Sequence, residues 1–389
     1  VHGAGPTGAL AALALAQAGW AVRLCDPLTA EQLRSRSRAY ALTHSSRRLL
    51  EKLGLWEALL PHLVPFRQLE LWDRALHQQV RFSAADRGSA AEGEADGDAV
   101  GWILQHAPLM ELLLEVVARH GAIQLQLGAA VPGGAQLGDW AAGSEPQLLV
   151  AADGHGSPQR RAAGIRSWRR AYRQGCLTVQ VALRGSAADQ AWELFRPEGP
   201  FAVLPLGGER FQLVWSAPLQ RLQQLERLDS QAFLEALSAA LPEQLQAEVL
   251  LDQPRAFPVA WELAWPLQRR RLVLVGEAAH RCHPVGGQGL NLCWRDVEAL
   301  GRLARRSAQG RLDPRRLPRL YARQRRGDVL LVLLATDGLV RLFSNRHALL
   351  LPLRRLALLL LARWAWLRRL SLRVMSDGPA GLAGPPAQL

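Results

Sequence analysis

Lysine, cysteine and long apolar runs are all scarce in this 389-residue chain. Its four cysteines (Cys25, Cys176, Cys282, Cys293) are too few and too scattered for a disulfide framework. None forms a C-x-x-C pair, so a reducing cytosol is the default setting. His280, Cys282 and His283 lie close together, but no second ligand pair stands at a supporting spacing, and no metal is expected. No stretch is built to cross ~30 Å of bilayer. Residues 1–22 are uncharged but carry three glycines and a proline in the first eight positions, and the helical part at 9–18 is too short. They also lack the basic start of a signal peptide. The apolar run 356–362 is fenced by Arg354, Arg355 and Arg363.

Acidic residues are scarce in one place only. The chain has 47 basic and 34 acidic residues, a formal charge of +13, and every basic residue except Lys52 is arginine. Residues 295–389 hold 19 arginines and 6 acids, which is the whole excess. A uniformly basic nucleic-acid coat is therefore not expected, while a polyanionic contact by one segment is. At 49% hydrophobic and 21% charged the chain can bury a core, and its length predicts two or three domains.

The first 26 residues read as part of a βαβ unit. Gly3, Gly5 and Gly8 precede an Ala/Leu helix, then Gly19, then a strand at 20–25 that ends on Asp26. Gly3 permits a tight turn, Gly5 lets backbone approach a pyrophosphate, and Gly8 lets helix pack on strand. The helix N-terminus attracts the phosphate charge, and an acid some 20 residues on accepts from ribose hydroxyls. Such a unit needs a strand before Gly3. With no methionine at position 1, the sequence reads as truncated at its N-terminus, its first strand missing.

Further along, 69–72 and 80–82 look like strands, with a polar, small-residue loop at 84–101 and a helix near 108–119. Residues 148–152 form a buried strand that stops at Asp153 and Gly154. Strand-like runs follow at 177–183, 201–206 and 211–215, and 219–250 looks helical. A second buried strand at 271–275 leads into Gly276, Glu277, His280 and a Gly-rich turn from Pro284 to Gly289, which opens a helix at Leu290. Beyond 295 the chain reads as helical to about 375. The expected division is a discontinuous dinucleotide-binding domain (1–68, 101–168, 254–310), a β-sheet domain (69–100, 169–253), a helical region (311–376) and a disordered tail (377–389).

Three motifs then line up: Gly3–Gly5–Gly8, Asp153-Gly154-x-x-Ser157, and Gly276-Glu277-Ala-Ala-His280-x-x-x-Pro284 with its glycines. Together they resemble class A FAD-dependent monooxygenases, and within them the ubiquinone-biosynthesis hydroxylases. Supporting stretches are Pro205 in 199–206, Asn291 in 287–292, Tyr321-x-x-x-Arg325-x-x-Asp328, and 336–345 from Thr336 to Asn345. The resemblance implies an α/β fold, α+β overall: a Rossmann-like FAD-binding domain, a β-sheet substrate domain and a C-terminal helical segment. It implies FAD as cofactor and NAD(P)H as co-substrate. The activity would be hydroxylation of a prenylated phenol by O2 through a flavin hydroperoxide.

Carried over by position, Gly3, Gly5 and Gly8 would hold the pyrophosphate and Asp26 the ribose. Asp153 and Gly154 would lie near the pyrophosphate, Arg38 would contact flavin or phosphate, and Gly276, Glu277, Gly289, Leu290 and Asn291 would follow the ribityl chain and ring. Pro284, Gly286, Gly287 and His283 would face the reaction, and Pro205 the substrate. Glu277 departs from the Asp usual in the group by one methylene.

Plainer readings stand beside these. His280 and His283 can be ordinary turn residues, Asp153 a turn cap, Pro205 a strand end, and the apolar spacing at 329–343 helix packing rather than a lipid channel. A flavin halogenase would need a lysine beyond the FAD motifs, and Lys52 is the only lysine. The alternatives that remain are a prenyl-chain reductase of the same fold and a non-catalytic flavin-binding fragment. The arginine and leucine clusters at 349–372, with Trp364 and Trp366, suit a helix lying in an anionic membrane interface rather than a merely solvated arginine face. Expected partners are therefore a membrane surface and a quinone-biosynthesis complex, with a cytoplasmic, peripherally membrane-associated location.

Overall fold

The computed structural model describes residues 1–87, 99–128, 146–345 and 347–378. Most of the loop expected at 84–101, and positions 379–389 of the expected tail, lie outside the described residues. Asp377 and Gly378 are described: Asp377 ends a helix and pairs with Arg48.

A parallel sheet organises the N-terminal unit. Val22–Asp26 pairs with Ile123–Leu127, and Leu149–Ala151 pairs with Leu272–Leu274, both in parallel. Val1 and His2 fill the slot between these pairs. His2 bridges Cys25 on one side and Ala151 on the other, and Gly3 N donates to Cys25 O at 2.8 Å. The helix Pro6–Gln17 springs from this point, and Gly8 shows why the motif tolerates no side chain there. A Cβ on Gly8 would lie 1.8 Å from the Gly3 carbonyl oxygen. On its other side the helix packs on Gln288–Ala308, where Gly301 and Ala14 allow close approach. Buried Leu10, Leu13, Leu113, Leu300 and Trp294 build the core around these helices.

A nine-stranded sheet forms the second layer. Eight of its strands run in the order His280–Arg281, Arg255–Trp265, Arg166–Arg184, Arg210–Pro218, Phe201–Pro205, Gln190–Phe195, Gln68–Asp73, Gln78–Ser83, and the ninth, Gln246–Leu250, pairs off this path with Arg166–Arg184. The boundaries expected at 168/169 and 253/254 fall within or beside continuous strands. Arg166–Arg184 is one 19-residue strand, and Arg255–Trp265 pairs along it rather than with the N-terminal sheet. The helix expected across 219–250 ends earlier. Leu219–Glu226 and Ser230–Ser238 are helical, Pro242 follows, and Gln246–Leu250 is a strand on the edge of Arg166–Arg184. A proline and a short β-type alternation outweigh the Leu/Gln/Glu composition there.

The C-terminal part is four helices: Gln288–Ala308, Leu317–Phe343, Leu351–Arg363 and Ala365–Asp377. The stretch 349–372 is therefore two helices broken at Trp364, not one. A buried ion network joins these helices to the parallel sheet. Asp296 accepts Gly276 N at 2.9 Å, pairs with His280 Nε2 at 2.7 Å and accepts Arg325 Nε at 2.6 Å. Arg325 also reaches Asp328 at 2.6 Å, and Arg295 donates to both oxygens of Asp328 at 2.8 and 3.1 Å. Tyr321 donates to Leu274 O at 2.9 Å.

Burial alone would push the Asp296 carboxyl up, but His280 and Arg325 outweigh it and hold the group at about 2. The carboxylate thus stabilises the fold fully above the ordinary range near ~4, and this contribution fades as pH falls through about 2. Asp296→Ala leaves Arg325 buried with one partner fewer and should cost about 3–5 kcal/mol in urea unfolding. A loss below about 1 kcal/mol would show that the network is ornamental.

Candidate active site

One cleft of about 2590 Å³ opens between the two sheets and runs on to the C-terminal helices. Drug-sized sites occupy roughly 300–1,000 Å³, so this space suits a dinucleotide cofactor and a second molecule together. At one end are Gly3, Gly5, Asp26, Arg38, Asp153 and Gly154. In the middle are Glu277, Pro284, Gly286, Gly287, Gly289 and Leu290. The far arm is apolar, lined by Leu339, Leu342, Phe343, Leu358, Leu361 and Leu370.

The dinucleotide end is built on backbone. Gly3 has φ +97°, and a Cβ there would meet Ala152 O at 2.3 Å. Gly5, at the start of the first helix, has open space where a Cβ would be, so the helix N-terminus is bare toward the cleft. Asp26 is buried and accepts Ala4 N at 2.6 Å and Leu28 N at 2.8 Å, which fixes its carboxylate at the cleft wall with lone pairs to spare. Asp153 both caps a turn and lines the cleft. Its Oδ2 accepts Gln159 N at 3.1 Å, while its Oδ1 is buried without a partner. Burial pushes this carboxyl up against the hydrogen bonds from Ser157 and Gln159. Ser157 caps the following short helix by accepting Arg160 N at 2.9 Å, and Arg160 reaches over to Ala278 O at 2.8 Å and Glu262 at 2.8 Å.

The central turn aims a helix at the cleft. Gly286 (φ +67°) and Gly287 (φ +63°) are both left-handed, and a Cβ on Gly287 would stand 3.0 Å from that of Ala41. The turn delivers the first amides of Gln288–Ala308, a 21-residue helix, beside Glu277. Glu277 is exposed to the cleft and makes no described hydrogen bond. Arg38 is exposed at the same wall, its guanidinium 5.9 Å from the Phe257 ring centre.

Five expected site residues stand behind the cleft wall. Gly8 and Gly276 serve packing: a Cβ on Gly276 would lie 3.0 Å from Thr7 Cγ2 and 3.3 Å from Cys293 Sγ. Asn291 is fully buried with both ends of its amide used, accepting from Thr43 and Ser46 and donating to Ala41 O and Gly287 O. It clamps the Gly-rich turn to Ala39–Leu42 rather than facing a ligand. His283 is wholly buried, its Nδ1 accepting Val285 N at 3.2 Å, and burial lowers it to about 4, so it is a neutral packing partner of Tyr172. His280 does line the cleft, but its Nε2 is taken by Asp296. Pro205 points into the core, and the alternate positions Ala202 and Leu204 face the cleft. The period-two rule could have found them.

The apolar spacing at 329–343 is not packing alone, since Ala335, Gly338, Leu339, Leu342 and Phe343 line the far arm. Glu193, Thr178 and Gln212 also face the cleft; all three sit on strands, and no motif marked them. The ion network around Asp296 also escaped, although Tyr321, Arg325 and Asp328 had been singled out.

A bare helix N-terminus, a fixed acid at the end of the second strand, a glycine cradle and an orphaned carboxylate oxygen fit a flavin dinucleotide. The FAD-binding-domain family model matches residues 1–327, so the chain belongs to that family, and its class is the FAD-dependent monooxygenases. It is 31% identical to ubiquinone hydroxylase UbiL of Rhodospirillum rubrum, over 96% of this chain and 88% of that one. It is also 31% identical to 3-demethoxyubiquinol 3-hydroxylase of Escherichia coli, over 77% of each chain. Among solved structures, Klebsiella pneumoniae HpxO complexed with FAD and uric acid shares the fold, with a TM-score of 0.74 at 21% identity, covering 99% of this chain and 96% of that one.

Glu277→Ala should weaken FAD binding roughly tenfold or more, as expected for a lost hydrogen bond to a charged group, and Glu277→Asp should not. Flavin fluorescence titration reads both, and equal affinity for wild type and Ala variant would remove Glu277 from the cofactor site.

Proposed function

We propose that the chain hydroxylates a prenylated phenol in quinone biosynthesis, taking electrons from NAD(P)H and oxygen from O2. The observation that carries this reading is the shape of the cleft. A polar dinucleotide end continues without interruption into an arm lined by leucines and Phe343, which suits a ring beside the flavin and a prenyl tail beyond it. Relatives named for ubiquinone hydroxylation support the same substrate class. Bound flavin supplies the redox chemistry, reduction by nicotinamide and activation of O2. The chain's own residues do the rest. Gly3, Gly5, Asp26, Asp153 and Glu277 would hold the cofactor. The amides opening Gln288–Ala308 would favour negative charge beside Gly286–Leu290. Pro284, Val285, Phe195 and Leu71 would keep water from the reacting ring.

The same reading would put the protein at a membrane surface, which suits a substrate with a long apolar tail. Leu349 (92% exposed), in the short turn before the C-terminal helix pair, and Leu353, Leu356, Leu359, Trp364 and Trp366 along the pair are exposed, with Arg355, Arg363 and Arg369 exposed beside them. Arg354 and Arg368 belong instead to the interior: Arg354 is 1% exposed and donates to Leu342 O and Asn345 O, and Arg368 pairs with Asp86 at 2.8 Å. Among the described residues no helix is long and apolar enough to cross a membrane, so the contact proposed is peripheral.

Flavin-loaded protein should oxidise NADH or NADPH faster when a prenylated phenol is added, and mass spectrometry should find the ring one oxygen heavier. A reduced prenyl chain would identify a reductase instead, and no stimulation by any prenylphenol would mark a flavin binder without this activity. Co-sedimentation with liposomes should rise with anionic lipid and fall with salt, each exposed arginine near the surface contributing about 1 kcal/mol. Binding indifferent to both would refute the electrostatic contact.

A further inference from the structure

The sheet floor over the cleft is mostly apolar, with Thr178 and Gln212 among its polar members, and Glu193 is the carboxyl group that its described residues present to the cleft. Arg169 and Arg281 of the same sheet also line the cleft, but neither forms a described ion pair with Glu193. Across the strands Glu193 stands opposite Ala202, Ala202 opposite Val214, and Val214 opposite Thr178, and all four line the cleft. On its other side Glu193 stands opposite Leu71. Most other buried acids among the described residues meet a cation, and Asp73 accepts the Ala75 and Leu76 amides with Arg354 4.0 Å away. Glu70 faces Arg81, Glu262 faces Arg160, Asp296 faces Arg325, Asp328 faces Arg295, and Asp86 faces Arg368. Asp26 takes two backbone amides. Glu193, only 7% exposed, receives one long hydrogen bond, from Gly286 N to Oε2 at 3.4 Å. Its carboxyl group thus bridges from the substrate floor to the Gly-rich turn, the position a ring would share with the flavin.

We propose that Glu193 is the catalytic base that takes the hydroxyl proton of the phenol during hydroxylation. This rests on the hydroxylase reading. The substrate O–H bond breaks, the proton passes to the Glu193 carboxylate, and the electron pair left on oxygen raises electron density in the ring. The ring carbon then bonds to one oxygen atom of O2, and the other leaves as water, formed with the two electrons and the hydrogen of NAD(P)H and one proton from solvent. The hydrogen on that ring carbon departs as a proton when aromaticity returns and goes to the newly bonded oxygen, and Glu193 hands its own proton back to the phenolate.

The surroundings suit this role. Burial raises Glu193 to about 7, opposed only by the Gly286 amide, so the base form is available at neutral pH and ready to be protonated. Two ionisable groups on neighbouring elements do not compete for the proton, and Glu277, Arg169 and Arg281 line the cleft without a described bond to Glu193. Cys176, on Arg166–Arg184, is pushed by burial to about 12 and stays a thiol, with Arg38 the cation whose field reaches it. His283, beside the turn, is held down near 4 by burial. Gln212, on the same floor, is neutral, and its Oε1 is buried without a partner.

The test uses flavin-loaded full chain with 2-prenylphenol as probe, measuring hydroxylated product and hydrogen peroxide per NAD(P)H consumed. E193Q should bind FAD as wild type does. Its product yield should fall roughly tenfold or more, with peroxide making up the difference, and E193D should recover part of the loss. Wild-type yield should decline as pH drops through about 7, and that decline should be absent in E193Q. A coupled E193Q with the wild-type pH profile would overturn the assignment while leaving the hydroxylase reading intact. Should E193Q fail to hold FAD, a wild-type yield that stays flat through about 7 would overturn it equally. A wild-type protein that makes no hydroxylated product would sink the hydroxylase reading, and the role of Glu193 with it.

Discussion

Everything at the reacting end of the cleft depends on one buried carboxylate. Asp296 stands on the third turn of Gln288–Ala308, and its two oxygens hold the Gly276 amide, His280 and Arg325 at once. The turn after the Leu272–Leu274 strand cannot move without breaking that set, and Glu277 rides on the turn. Through Arg325 the same carboxylate is tied to Asp328, and Arg295 extends the tie to Ser376 O at 3.1 Å. A carboxylate with such partners is expensive to leave half-satisfied, so the arrangement is formed whole or not at all. The motif Tyr321-x-x-x-Arg325-x-x-Asp328 therefore acts behind the site: it fixes the helix whose N-terminus opens on the cleft.

The cleft walls divide the labour. One wall is backbone, with bare amides, left-handed glycines and fixed acids, and it suits a charged dinucleotide. The other is a sheet face, mostly apolar among the described residues, on which Glu193 stands beside Ala202 and Leu71, and it suits an aromatic ring. Leu339, Leu342 and Leu358 continue the apolar wall toward the C-terminal helices, so the path from polar to apolar is graded along one space.

The glycine turn, the second strand with Asp26 and the Gly276–Gly289 stretch were legible because their residue types have backbone reasons that hold before any tertiary contact forms. Asn291 and His283 carried the right neighbourhood and the wrong orientation, since a helix or turn residue's facing is set by what packs on it. Pro205 shows a different limit: Phe201–Pro205 was recognisable as a strand, but which of its faces meets ligand depends on the sheet it joins. Glu193 was invisible for the same reason, as an unpaired carboxylate is defined by the absence of a cation that only the fold can show. The basic tail was half legible. Its arginines looked alike in sequence, yet Arg295, Arg325, Arg354 and Arg368 hold the interior together while Arg355, Arg363 and Arg369 remain at the surface.

The central claim is that the two walls bring a flavin and a phenol ring together so that oxygen passes from O2 to carbon. The most direct measurement is to run the reaction under O2 enriched in the heavy oxygen isotope and weigh the product. One labelled oxygen atom on the ring of a prenylated phenol is the predicted result. A product oxygen drawn from water, or a product with no added oxygen, would contradict the account.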